Sequence, residues 1–336
     1  MSTNLLSVVI NMLVTRGAAA EATVWTESML ALGIQQFKLL LIAPLLVFFI
    51  AGCSLRHLAI EKMGDAVADG STSFAADDDP ELIRVAVPFS LKLMESLLAE
   101  SPQHKGLLLA SAKGFTEYAY VFVQQDADQI EEQDIATASR LRERARRLYH
   151  RARDYGLSGL EIGRPDFASQ LRKNPRLTVA TLTPRDVALV YWTGAAWGAL
   201  IALSKDSPAM LADIPVVEAL IDRALELNEA YDRGAIHTFM IGYEMVRLNG
   251  AGDPATRARL HFIRAMELTG GDDAAPLLAF AESVCVAKQN RAEFEVLLKQ
   301  ALQIDVNRIP EQRLANLVMQ KRARWLLSRT DQLFTD

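Results

Sequence analysis

Four stretches of this chain repeat one helical phrase: LYHRARDY around Ala152, LIDRALEL around Ala224, HFIRAMEL around Ala265 and LLKQALQI around Ala301. Those alanines stand 72, 41 and 36 residues apart, and 72 is twice 36. A unit of that length holds two helices and a turn. It cannot bury its own apolar face, so such units must stack on one another. Between the phrases, Pro and Gly separate apolar blocks of helical length, and no run alternates strongly enough to predict a strand. The chain is therefore predicted to be all-α.

A period near 34 residues is that of tetratricopeptide (TPR) repeats, whose second helix needs a small residue, a large apolar one four later and a small one three after that. Ala145, Tyr149 and Ala152 meet this requirement, as do Ala258, Phe262 and Ala265. Val217, Ile221 and Ala224 fit more loosely, Phe294, Leu298 and Ala301 invert the first size, and the proline expected five residues later is missing from all four. The expected architecture is thus TPR-like helical hairpins stacked into a curved array. Residues 310–334 serve as a C-terminal capping helix, with Arg313, Gln320, Lys321 and Arg324 toward water and Leu314, Leu317, Val318 and Trp325 inward. Further helices are predicted over about 81–100, 103–128, 136–155, 184–204, 214–228, 235–248, 254–269, 274–287 and 291–304. Asp79 caps the first of these, and residues 156–183 form a crossover with room for a short helix.

The N-terminal part is of another kind. Lys38 precedes the apolar run LLLIAPLLVFFIAGCS, Leu39 to Ser54, which ends in small residues before Cys53. That is the build of a secretory signal cut before a cysteine, a bacterial lipobox in which Cys53 receives lipid. A transmembrane helix is the competing reading, but Leu39 to Gly52 falls short of the roughly 20 residues a span needs and contains Pro44. Met29 is a better start than Met1, which makes residues 1–52 signal and residues 53–79 a lipidated cysteine with a flexible tether. Residues 80–336 are then the helical domain. A tether of that length reaches about 25 to 30 Å on average. Ser54, in place of an aspartate, leans the anchor toward the outer membrane.

The net charge of −5 gives no general attraction to nucleic acid. Seven arginines between Arg140 and Arg153 invite an anion-binding reading, but the acidic stretch Asp126 to Asp134 precedes them, and a face neutralised by its own neighbour is preferred. Once Cys53 is lipidated, Cys285 is the remaining cysteine, and its apolar neighbours make it a small buried hydrophobe. The five histidines show no metal-ligand spacing, and no catalytic or phosphate-binding motif appears, so no metal, cofactor other than the lipid on Cys53, or catalytic residue is expected. Val187 to Leu203 is uncharged throughout. It reads as a helix buried on all sides. A functional alternative has Tyr191, Trp192 and Trp197, with Tyr118, Tyr120, Phe239, Met240 and Tyr243, lining an apolar cavity on the concave side.

Several stretches resemble the T-component (TatT) lipoproteins of TRAP transporters: FSLKLMESLLAESPQHKGLLLASAKGFTEYAYVFVQQDAD, RARDYGLSGLE, YWTGAAWGALIALSKD, FEVLLKQAL and LANLVMQKRARWLLSRTDQLF. The resemblance implies a non-enzymatic, all-helical periplasmic lipoprotein that partners the substrate-binding P component of a tripartite, ATP-independent transporter. It also implies a hydrophobic cavity and self-association into trimers. The competing function is a TPR-type scaffold for outer-membrane or envelope assembly.

Overall fold

The computed structural model describes residues 60–68, 71–248 and 250–335. Cys53, the signal segment and the alternative start at Met29 lie outside these residues. Among the described residues there are helices and connections but no strand.

Several helices begin where a side chain accepts from free backbone N–H groups, each cap contributing about 1 kcal/mol. Helix α1 covers residues 60–68 and α2 Ser71–Ala75. Asp79 then accepts from the N–H groups of Glu81 and Leu82, both at 3.0 Å, and starts α3, Pro80–Glu100. His104 Nδ1 caps α4, Lys105–Tyr118, by accepting from Leu107 N–H at 3.2 Å. A π-helical segment, Ala119–Gln124, leads into α5, Gln125–Ile130. Asp134 caps α6, Ile135–Glu161. Then follow α7, Phe167–Lys173, α8, Pro175–Val179, α9, Val187–Ala202, α10, Pro208–Leu211, and α11, Ile214–Leu227. After α12, Ala235–Glu244, Asp253 caps α13, Pro254–Thr269, which ends at a left-handed Gly270. Helix α14, Ala275–Phe280, continues through a second π-segment, Ala281–Cys285, and α15, Arg291–Leu302, α16, Arg313–Ser328, and α17, Thr330–Leu333, complete the chain.

Helices adjacent in the chain pack on one another: α3 on α4, α4 on α6, α6 on α9, α9 on α11, and so on from α12 to α16. The repeated phrase supplies the contacts. Ala145, Tyr149, Ala152, Val217, Ile221, Ala224, Ala258, Ala265, Phe294, Leu298 and Ala301 are all buried. The uncharged helix α9 is enclosed by α4, α6 and α11. Small residues permit this: a Cβ on Gly156 of α6 would lie 2.2 Å from Thr193 Oγ1 of α9, and one on Gly194 would lie 2.8 Å from Ile221 Cδ1.

Four features differ from the sequence-based expectation. Helix α6 continues past Tyr155 to Glu161, because Gly156 and Gly159 serve close helix packing and do not break the helix. Two π-segments interrupt regular helix where a plain α-helix was expected. Within the stretch expected to be a tether, residues 60–68 and Ser71–Ala75 are helical, the Ser101 hydroxyl donates to Glu61, and His104 Nε2 lies 3.2 Å from the Glu61 carbonyl. The last helix is not a free polar-faced cap. Gln320, expected to face water, is 6% exposed and donates to the carbonyls of Ala301 and Ile304. Arg313 donates to the Ala76 carbonyl at 3.0 Å, and Lys321 pairs with Glu81 at 3.1 Å, so α16 lies against α2 and α3.

Arg142 of α6 meets the preceding acidic stretch as expected, whereas Arg146, Arg147 and Arg153 find carboxylates on α6 itself and Arg151 finds Glu95 of α3. Arg142 pairs with Glu131 at 2.6 Å, Arg146 and Arg147 with Glu143, and Arg153 with Asp154 at 2.8 Å. Cys285 is buried, and burial pushes its thiol up to about 12.

Candidate functional site

The most concentrated group of aromatic and ionisable side chains lies where α4, α9, α12 and the turn Tyr231–Gly234 converge. Tyr191 and Trp192, consecutive on α9, meet edge to face at 5.0 Å between ring centroids. Tyr191 also contacts Tyr231 at 5.7 Å and Phe239 at 6.5 Å, and Phe239 stacks on Tyr243 at 5.7 Å. The Trp192 indole N–H donates to the Tyr231 hydroxyl at 3.1 Å, and the Tyr191 hydroxyl donates to the Ala235 carbonyl at 3.4 Å.

Charge enters from α4. Lys113 and Glu117 are four residues apart, hence on one helix face, with their charged atoms 3.8 Å apart. The Lys113 ammonium lies 5.6 Å above the centre of the Trp192 ring, a cation–π distance. Burial and the negative charge of Asp232 push the Glu117 carboxyl up, while Lys113 opposes them. The Glu117 side chain nevertheless keeps 49% of its accessible surface. Burial, with Asp232 adding to it, also pushes the Asp273 carboxyl up. Lys113 is raised by Glu117 first and by Asp232 after it.

The turn that delivers Tyr231 and Asp232 is strained. Asp232 and Arg233 have φ of 44° and 56°, and Gly234 follows at 89°. Left-handed backbone at non-glycine residues costs about 1–3 kcal/mol each and persists only where the surroundings hold it. Here Arg233 donates to the Thr269 carbonyl at 2.5 Å, and Gly234 leaves room for Leu268, whose Cδ1 would meet a Cβ at 3.0 Å.

Of the residues singled out in the sequence, Tyr191, Trp192, Phe239 and Tyr243 thus come together. The others lie elsewhere. Tyr118 packs against Phe122 at 5.5 Å beneath the Arg144 guanidinium. Tyr120, in the first π-segment, stands beside Arg322, Glu282 and Asp128, and burial pushes its hydroxyl up to about 12. Trp197 is 0% exposed and lies between Arg153 and Arg172, at 5.2 and 5.3 Å, while Met240 is core. Sequence reasoning missed Lys113, Glu117, Tyr231, Asp232 and Asp273. The spacing of Lys113 and Glu117 was a usable signal, whereas Tyr231 and Asp232 sit in a turn whose left-handed path the letters YDRG do not announce.

Among the described residues no cluster of three or more His, Cys, Asp or Glu side chains could hold a metal ion. No helix among them is long and apolar enough to cross a membrane.

The described residues form an all-helical protein in which Tyr191 and Trp192 of the buried helix α9 meet Lys113 of α4 and Tyr231 of the strained turn. Residues 76–334 match the TRAP transporter T-component family, and the chain belongs to that family. It is also similar to an uncharacterized protein of Treponema pallidum (strain Nichols), with 28% identity over 304 residues, covering 85% of this chain and 94% of that protein.

Proposed function

We propose that this protein is a non-enzymatic, periplasmic accessory of a TRAP-type transporter, which docks the substrate-binding P component and holds or passes an apolar organic ligand. The observation that carries the reading is the family match over residues 76–334, joined to the convergence of Tyr191, Trp192, Tyr231, Phe239 and Tyr243. Rigid aromatic side chains suit a small, largely apolar ligand, and the ionisable groups beside them, Lys113 and Glu117, would meet a polar end of it. In this reading the helix pairs are degenerate TPR-like hairpins in a curved array that α16 closes, and the protein self-associates as trimers. Lipid on Cys53 tethers it to the outer membrane, and residues before the first helices act as the leash.

Co-purification tests the docking. The chain beginning at Cys53, mixed at micromolar concentration with the P component encoded beside it, should be retained with it, and absence of a complex overturns this part. Native mass spectrometry tests the cavity: an apolar organic molecule should accompany the wild-type protein and be lost on Trp192→Ala, while exposed Leu177→Ala keeps it. An intact mass showing residues 1–52 retained and no acyl groups overturns the anchor.

A further inference from the structure

Two histidines 24 residues apart in the sequence meet between α12 and α13. His237 Nδ1 and His261 Nδ1 are 2.9 Å apart, with ring centroids at 5.1 Å. On the far side of its ring, His237 Nε2 lies 3.3 Å from Glu229 Oε2. Glu229 also takes the Arg264 guanidinium of α13 at 2.5 Å.

This arrangement restricts how many protons the pair can hold. Glu229 is an acceptor, so His237 carries its proton on Nε2, its Nδ1 is a bare acceptor, and His261 donates from Nδ1. One added proton is tolerated: His237 then carries both N–H groups, and His261 becomes the acceptor through its other tautomer. A second added proton is not. Two Nδ1–H groups and two positive charges would face each other across a hydrogen-bond distance.

The pair also sits on the strained turn. Glu229 and His237 flank Tyr231–Gly234 and close across it, while α13 supports it from outside through Thr269, which accepts from Arg233, and through Leu268, packed on Gly234. We propose that the His237–His261 pair is an acid-operated clasp: a second proton separates α13 from α12, and the turn, losing its support, releases Tyr231 from Trp192. The groups facing His237 are Glu229, which favours its charge, and Arg264, which opposes it. Facing His261, besides His237, are Glu244 and Asp222, which favour its charge, and Arg247, which opposes it. Burial outweighs the carboxylates and holds both imidazoles below the ordinary histidine value, so the clasp is shut at neutral pH and opens on acidification. The clasp lies wholly within this chain and works whether or not a ligand sits at the aromatic cluster.

The test follows the tryptophan indole N–H and histidine ring resonances of the full chain by NMR between pH 8 and pH 5, with Trp192 assigned through Trp192→Phe. The expected result is a shift or broadening of the Trp192 indole resonance with a midpoint below about 6.5. It should coincide with the second of two separated histidine steps and be lost in His261→Gln, which cannot take the second proton. An unmoved Trp192 resonance while both histidines titrate overturns the proposal. So does a step that persists in His261→Gln, because it then belongs to carboxyls such as Glu117. Should that variant not fold, the wild-type curves decide: independent single-proton titrations near the ordinary value overturn the clasp.

Discussion

Arg322 of α16 grips Glu282 of the second π-segment through two donors, at 2.7 and 2.6 Å, and reaches Asp128 of α5 with a third at 3.2 Å. The guanidinium side chain is 9% accessible. One buried cation thus joins the last long helix to elements 40 and 194 residues earlier in the chain. Arg322→Ala leaves Glu282 without this cation and leaves Asp128 to Arg142, 3.4 Å away. Removing one partner of a fully buried pair costs about 3–5 kcal/mol, and because Glu282 and Asp128 keep some water the expected loss here is about 2–4 kcal/mol. Urea unfolding should show it, while Arg324→Ala, exposed on the same helix, changes stability by less than about 0.5 kcal/mol.

Gly156 tests the close approach of α6 and α9. Gly156→Ala places a methyl group 2.2 Å from Thr193 Oγ1 and 3.2 Å from its Cα. The backbone contact cannot yield by a rotamer change, so overpacking should cost about 1–3 kcal/mol by the same unfolding measurement. Adding Thr193→Ala, which removes the nearest atom, should recover part of the loss. A Gly156→Ala protein as stable as wild type would contradict the packing described.

Asp186 anchors the start of α9 with charge. It is 2% exposed and accepts from Lys105 at 3.0 Å, from Arg164 at 2.6 Å and from the Thr183 backbone N–H at 3.1 Å. Burial works against the charged form, but the Thr183 and Lys105 hydrogen bonds outweigh it and lower the carboxyl to about 2. A carboxyl depressed in the folded state stabilises it above its unfolded pKa near 3.8, and that stability is lost as pH falls toward 2. Asp186→Asn should therefore cost about 2 kcal/mol at pH 7. The gap between variant and wild type should narrow between about pH 4 and pH 2, and a gap independent of pH in that window would refute the assignment.

The Tyr231 hydroxyl accepts the Trp192 indole N–H. Tyr231→Phe keeps the ring contact with Tyr191 and removes the acceptor, leaving a buried donor unpaired at a cost of about 1–3 kcal/mol. Faster hydrogen exchange of the Trp192 indole, with little change at the other tryptophans, should accompany this loss.

Much of the fold was legible from short-range patterns. The spacing of Ala145, Tyr149 and Ala152, and of its echoes at Ala224, Ala265 and Ala301, identified the buried helix faces because a helix returns a side chain to the same face every three to four residues. Asp79 and Pro80 marked a helix start for an equally local reason, and the uncharged Val187 to Leu203 announced a helix without a solvent face. Glycines were ambiguous: Gly156 and Gly159 read as breaks because their value lies in what they let approach. Tyr191, Trp192, Phe239 and Tyr243 could be listed from the sequence, but Trp197 and Met240 could not be told apart from them, since composition does not show which side of a buried helix meets the turn at Tyr231.

The sequence by itself thus determined most of the helices and the buried faces that the repeated phrase marks, since these follow from propensity, capping and periodicity within a few turns of chain, while the family showed in the likeness of whole stretches. Only the tertiary structure decided that Arg322 reaches Glu282 and Asp128, that Gln320 is buried, that Tyr231 meets Trp192 and that His237 meets His261. Each of those contacts joins side chains on different elements. Their geometry depends on how helices are offset and rotated against one another, and that is a property of the packed core as a whole.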